Sequence, residues 1–269
     1  MRRLFDELKR SFKVWTIPTD GVWRLRAVKC SPNESEHPYH HRVDRLLTNI
    51  SRFHGDWRRN FCMPFYKDRI YPHLVAVLGN PKPIRDIRER IVAMAQGTVL
   101  EIGVGPGVNF PHYDATKVTK IFALEPNRGM IPRAEEQAGR TKLDIEFLDL
   151  PGERIPLAES SVDTVVSTFT LCTIPGVVDA IQGMERVLKP GGRFIFFEHG
   201  LAPDAPVRRW QQRTEPLFQW AFEGCHVTRD IPSLIRDGGF AIEQMDTAYL
   251  APFPKSGSYC FWGVALPKP

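Results

Sequence analysis

From residue 98 onward, short apolar runs alternate with segments whose apolar positions recur every three or four residues. The runs lie at 98–102, 119–125, 143–148, 162–168, 192–199, 240–247 and 257–265, and each has the length and β-branched or aromatic content of a strand. Between them, helices are predicted over roughly 106–112, 128–139, 176–188, 207–222 and 230–237, with two more, 66–80 and 84–96, ahead of the first strand. In the second of these, Ile84, Ile87, Ile91, Met94 and Ala95 share one face. Alternating strands and helices build a sheet of mostly parallel strands, because each crossover packs back over it. The expectation is an α/β fold: a seven-stranded, mostly parallel sheet with helices on both faces. Lys189-Pro190-Gly191-Gly192 reads as a turn ahead of the fifth strand.

Charge divides the 269-residue chain differently. Residues 1–62 carry 13 Lys/Arg against 7 Asp/Glu, which leaves 23 against 24 for the remainder of a chain whose net charge is +5. The basic character therefore belongs to the first 62 residues, and the nearly neutral body is not expected to track nucleic acid. Residues 1–62 read as a basic N-terminal extension, expected to be poorly ordered. Leu4, Phe5, Leu8 and Phe12 there fall on one face of a short amphipathic helix suited to weak contact with a membrane surface. His37, His40 and His41 lack a Cys or carboxylate to complete a ligand set, so no metal site is expected. No apolar run approaches the ~20 residues of a membrane span. Five scattered cysteines without a C-x-x-C pair fit reduced thiols and a cytoplasmic setting.

The chemistry concentrates where the first run ends, at Thr98-Val99-Leu100-Glu101-Ile102-Gly103-Val104-Gly105-Pro106-Gly107. A glycine turn after the first strand lets the backbone approach a ligand at the carboxyl edge of the sheet. The spacing is G-x-G-x-G, not the G-x-G-x-x-G of dinucleotide folds, and Glu101 stands two residues before the first glycine. A carboxylate there would repel a pyrophosphate and attract an ammonium group. Glu125, followed by Pro126, ends the second strand 22 residues after Gly103, about where α/β nucleotide sites place an acid to accept both ribose hydroxyls. Asn109, just past the turn, and Thr168, ending the fourth strand, complete the candidate contacts along this edge. The fifth strand closes on Glu198-His199, and His199 is a candidate base for an acceptor bound there. Cys172 reads as a buried structural cysteine.

The pattern E-x-G-x-G-x-G resembles motif I of the class I S-adenosylmethionine (SAM) methyltransferases, whose acid faces the methionine amino group. That resemblance implies a Rossmann-like fold over residues 63–269 and SAM as cofactor, with Glu101 on the ammonium, Gly103, Gly105 and Gly107 admitting the ligand and Glu125 on the ribose. The segment from Leu148 to Leu157 is similar to the family's adenine-pocket segment and places Leu150, Gly152 and Glu153 there; Pro151 replaces its usual polar residue. Leu171-Cys172, Glu198-His199, Trp210-Gln211-Gln212, Glu215-Pro216 and Gly224-Cys225-His226-Val227-Thr228-Arg229 resemble the branch containing the microsomal thiol S-methyltransferases. This implies a small-molecule acceptor, with a thiol favoured, His199 as base and Arg229 stabilising thiolate. The alternative within the family is N- or C-methylation of an amine, phospholipid or quinone precursor. A nicotinamide oxidoreductase is disfavoured by the glycine spacing and by Glu101.

Overall fold

A computed structural model describes Tyr66 and residues 70–268 of the chain. The expectations for residues 1–62 lie outside the described residues. Seven strands form one sheet in the order β3-β2-β1-β4-β5-β7-β6. They are β1 (Gly97–Ile102), β2 (Val118–Leu124), β3 (Ile145–Leu148), β4 (Val162–Thr168), β5 (Leu188–His199), β6 (Phe240–Tyr249) and β7 (Tyr259–Pro267). The first five run parallel, and β7 is antiparallel to both β5 and β6.

The central strands read as unbroken apolar runs because both of their faces are buried. Alternate residues enter two cores. Leu100 and Ile102 of β1, with Phe194 and Phe196 of β5, face one core. Val99, Ile195 and Phe197 face the other. The first core is closed by helices α4 (Val177–Val187) and α6 (Ile231–Asp237), through Ile181, Met184, Ile231 and Ile235. The second is closed by α2 (Lys82–Val92) and α3 (Ile131–Ala138), through Ile84, Ile87, Ile91 and Ala134. Helix α1 (Tyr71–Leu78) precedes these, α5 (Ala205–Ala221) follows β5, and a single turn, α7 (Lys255–Ser258), leads into β7.

Two predicted elements differ. No α-helix forms over 106–112; that stretch is a turn ending in three residues of 3₁₀ helix at Phe110–His112. Gly105 and Gly107 hold φ of +57° and +77°, outside helical geometry, and Pro111 has no N–H to continue a ladder. The expected turn at 189–192 is absorbed into β5 as a bulge. There the β4 register jumps from Val162↔Leu188 to Thr164↔Arg193, and Gly191 supplies the left-handed residue. Asp163 sits within β4, where it accepts from the Thr98 amide and from Lys189 Nζ, stitching β1 and β5 to it.

Candidate active site

The carboxyl ends of β1, β2, β4 and β5 define one edge, and the predicted residues gather there in two groups. The first surrounds the glycine turn. Gly103 leaves β1 at φ +66°, and its amide and that of Val104 both donate to Leu124 O at the end of β2. A Cβ on Gly103 would come within 2.3 Å of the Thr170 side chain, so this residue must be glycine for both packing and conformation. At Gly105 a Cβ would meet nothing within 4 Å. Its backbone therefore borders open space, which is the cradle a ligand needs. Glu125, only 6% exposed, bends under the turn and accepts from the Gly105 amide at 2.7 Å and the Asn127 amide at 2.8 Å. Burial pushes its carboxyl up to about 7 despite those two amides, with Glu223 and Asp149 adding to the rise. Pro126 follows it as the strand ends.

Glu101, Asn109 and Thr168 come together in a buried network beneath the turn. Asn109 Nδ2 donates to Glu101 Oε1 at 2.7 Å and to Thr168 Oγ1 at 3.1 Å. Tyr113 donates its hydroxyl to the other Glu101 oxygen at 2.8 Å. Arg88 of α2 donates to Asn109 Oδ1 and, at 2.9 Å, to Thr168 Oγ1. Glu101 is 1% exposed, and burial raises its carboxyl to about 7 although Tyr113, Asn109 and Arg88 all favour the ionised form. Glu101 is thus an enclosed acid whose two oxygens already accept bonds, not an open arm of the site.

The adenine-side residues divide. Leu150 is half-buried against the α4-side core. Gly152 is buried against Ile174 and Ile102, where a Cβ would lie 2.8 Å and 3.4 Å from their side chains. Glu153 accepts from the Gly176 amide at 3.1 Å, at the start of α4. It serves the helix N-terminus there.

The second group lies at the ends of β4 and β5. His199, the last residue of β5, is 9% exposed, and its Nε2 stands 3.2 Å from Cys225 Sγ. Burial alone would lower its affinity for a proton, yet the neighbouring Cys172 and Glu198 outweigh that and raise it. Cys172 is buried as expected, and its thiol is pushed well up by its contact with Cys225 and by burial. Arg229 donates to Leu171 O, spanning the loop after Cys225 and the turn that carries Cys172. His226 points away from this group: it pairs with Glu215 of α5 at 2.8 Å. Glu198 also faces elsewhere, holding Ser167 Oγ at 2.8 Å and the Thr170 amide.

Sequence reasoning missed Arg88, Tyr113 and the meeting of Cys172 with Cys225. Arg88 left one signal. It falls at the i+4 position of the Ile84, Ile87, Ile91 stripe, a charge on the buried face of an otherwise apolar helix. Cys225 lies 53 residues from Cys172, and spacing carries no trace of such a contact.

A profile described as a methyltransferase domain matches residues 100–196. Thiol S-methyltransferase TMT1B of Homo sapiens is 31% identical over 195 residues, which are 65% of this chain and 77% of that protein. The TMT1B protein of Rattus norvegicus is 34% identical over 153 residues, covering 55% of this chain but only 62% of its own length. Among solved structures, a SAM-dependent methyltransferase from Leishmania major shares the fold, with a TM-score of 0.56, 15% identity and coverage of 76% of this chain and 81% of that one. The chain belongs to the class I SAM-dependent methyltransferase family, where it is similar to the thiol S-methyltransferases.

Proposed function

We propose that this protein transfers the methyl group of SAM to the sulfur of a small thiol. The observation that carries the reading is the second group at the sheet edge. Residues from segments similar to the thiol S-methyltransferases, Cys172, His199 and Cys225, meet there in one buried cluster, with Arg229 donating to Leu171 O beside it. Bound SAM supplies an electrophilic methyl on a sulfonium centre, which passes in line to a nucleophile. The chain's own part is to hold, orient and exclude water. Glu125 accepts from the ribose hydroxyls in its ionised form. Gly105 leaves room for the cofactor, and Asn109, itself held by Thr168, fixes Glu101 so that its charge favours the ammonium end. A thiol reacts as thiolate, so the acceptor pocket must favour loss of its proton. Arg229 provides fixed positive charge at its rim, and the imidazole of His199 is the group placed to take up that proton. Phe169 lies against this group, its ring tilted on Phe197 at 4.6 Å between centroids and 5.9 Å from the His199 ring.

The test is a mixture of small thiols, amines and phenols offered to the purified protein with methyl-labelled SAM. Label is expected in a methyl thioether. A labelled amine or ring carbon, with the thiols untouched, would overturn the reading in favour of the N- or C-methylating alternative.

A further inference from the structure

Cys172, His199 and Cys225 are contributed by three separate segments: the turn after β4, the end of β5 and the loop after α5. Their Sγ, ring-nitrogen and Sγ atoms all lie within 4.8 Å of one another, and all three side chains are buried. Among the described residues no other His, Cys, Asp or Glu joins the cluster. A tetrahedral zinc site, with bonds of about 2.3 Å to sulfur and about 2.0 Å to nitrogen, sets its ligand atoms roughly 3.5–3.8 Å apart. The 3.2 Å between His199 Nε2 and Cys225 Sγ already falls near that spacing.

The backbone beside the cluster takes two left-handed residues. Three non-glycine residues among those described adopt positive φ, and two of them flank these ligands: Phe169 at +54°, three residues before Cys172, and Glu223 at +48°, two before Cys225. Such strain persists where surrounding contacts over-determine it, and it concentrates at ligand-binding sites. Local charge also fits. A divalent cation with two thiolates and one neutral imidazole is neutral as a unit.

We propose that Cys172, His199 and Cys225 bind a thiophilic divalent cation of the zinc type and leave its fourth position open toward the acceptor. The acceptor part of this inference rests on the reading given under Proposed function. Two cysteines and one histidine with an open position is the ligand set of a catalytic zinc, and a thiol that coordinates such an ion loses its proton. The atoms balance without an oxidant. The thiol proton leaves to solvent as the sulfur coordinates. The new S–CH3 bond forms as the methyl–sulfonium bond breaks, and the departing pair stays on sulfur in S-adenosylhomocysteine. With the cation bound, His199 serves as a ligand and the metal takes over the acidifying role.

The test uses the full chain stripped with a chelator and loaded with Co2+ as the probe. Thiolate-to-cobalt charge transfer and the strong visible bands of a tetrahedral site distinguish coordination from a hydrogen-bonded thiol cluster. The expected result is about one equivalent of Co2+ per chain, displaced by Zn2+, with both bands lost in Cys172→Ser and Cys225→Ser. SAM calorimetry on those variants checks that they remain folded, because the glycine turn is a separate group. If either variant does not fold, the wild-type bands and zinc retained through gel filtration decide alone. Absent bands, sub-stoichiometric metal, or bands that survive both substitutions overturn the site. Metal that binds at full stoichiometry while no thiol is methylated supports the site and overturns the thiol reading. Undiminished thiol methylation by the stripped chain overturns the role given to the metal.

Discussion

Two carboxyls at the proposed cofactor site, those of Glu125 and Glu101, are both held near 7 by burial, and the consequences run in opposite directions for binding and for stability. Ribose hydroxyls donate to a carboxylate and an ammonium is drawn to one, so SAM prefers both acids ionised. Affinity for SAM is therefore expected to hold above about pH 7.5 and to weaken as pH falls through 7, by up to about tenfold per unit for each of the two acids. Calorimetry across pH 5.5–8.5 checks this, and a flat profile would contradict it. Stability has the reverse sign. Between the ordinary carboxyl value of 4.5 and about 7, Glu101 binds a proton in the fold that it has lost in the unfolded chain. Stability thus falls as pH rises across that window, by on the order of 3 kcal/mol for this group, and levels off above it. Glu101→Gln removes that penalty. Its Tm is expected to exceed wild type by about 3–6 °C at pH 8, with the difference gone by pH 5, while its SAM affinity drops about tenfold or more. A Glu101→Gln protein less stable than wild type at pH 8, or one binding SAM normally, would show that the charge has no such part. At this scale the motif residues were legible because their chemistry is local to the strand end. Arg88 and Tyr113 were not, since Arg88 meets Asn109 and Thr168, and Tyr113 meets Glu101, only through the tertiary packing of α2 and of the turn after Phe110.

Among elements, the glycine turn after β1 separates two kinds of constraint. Gly103 is confined by Thr170, whereas Gly105 faces open space. Gly105→Ala is expected to fold with a modest loss, about 1–2 kcal/mol for its left-handed backbone, and to lose most SAM binding because the methyl occupies the ligand's space. Gly103→Ala is expected to destabilise far more, since its Cβ meets a packed threonine. Paired thermal melts and SAM titrations check the contrast, and equal stability losses with equal binding would contradict it. The strands were readable from the sequence because double burial leaves a continuous apolar run. The helix expected at 106–112 was not formed, because Gly107 and two prolines, Pro106 and Pro111, outweigh what periodicity remains there. Conversely, Pro216 did not end α5, which continues from Ala205 to Ala221 with a proline inside it. The turn signal at 189–192 was real chemistry placed in a bulge, a distinction set by β4 on the neighbouring side and not by the segment itself.

For the whole molecule, alternation of strand and helix carried the architecture, while the reversal of β7 between β5 and β6 is a matter of topology that local pattern does not encode. No helix among the described residues is long and apolar enough to cross a membrane. What the sheet accomplishes is juxtaposition: β1 and β2 end on the proposed cofactor group, β4 and β5 end on the proposed acceptor group, and parallel order sets the two side by side. The account stands or falls on those groups working together. The most direct measurement is release of S-adenosylhomocysteine by the purified full-length protein, with and without a small thiol. The account predicts turnover that requires the thiol, yields one methyl thioether for each S-adenosylhomocysteine and is lost in Glu125→Gln. Consumption of SAM indifferent to thiols, or none with any thiol supplied, would contradict it.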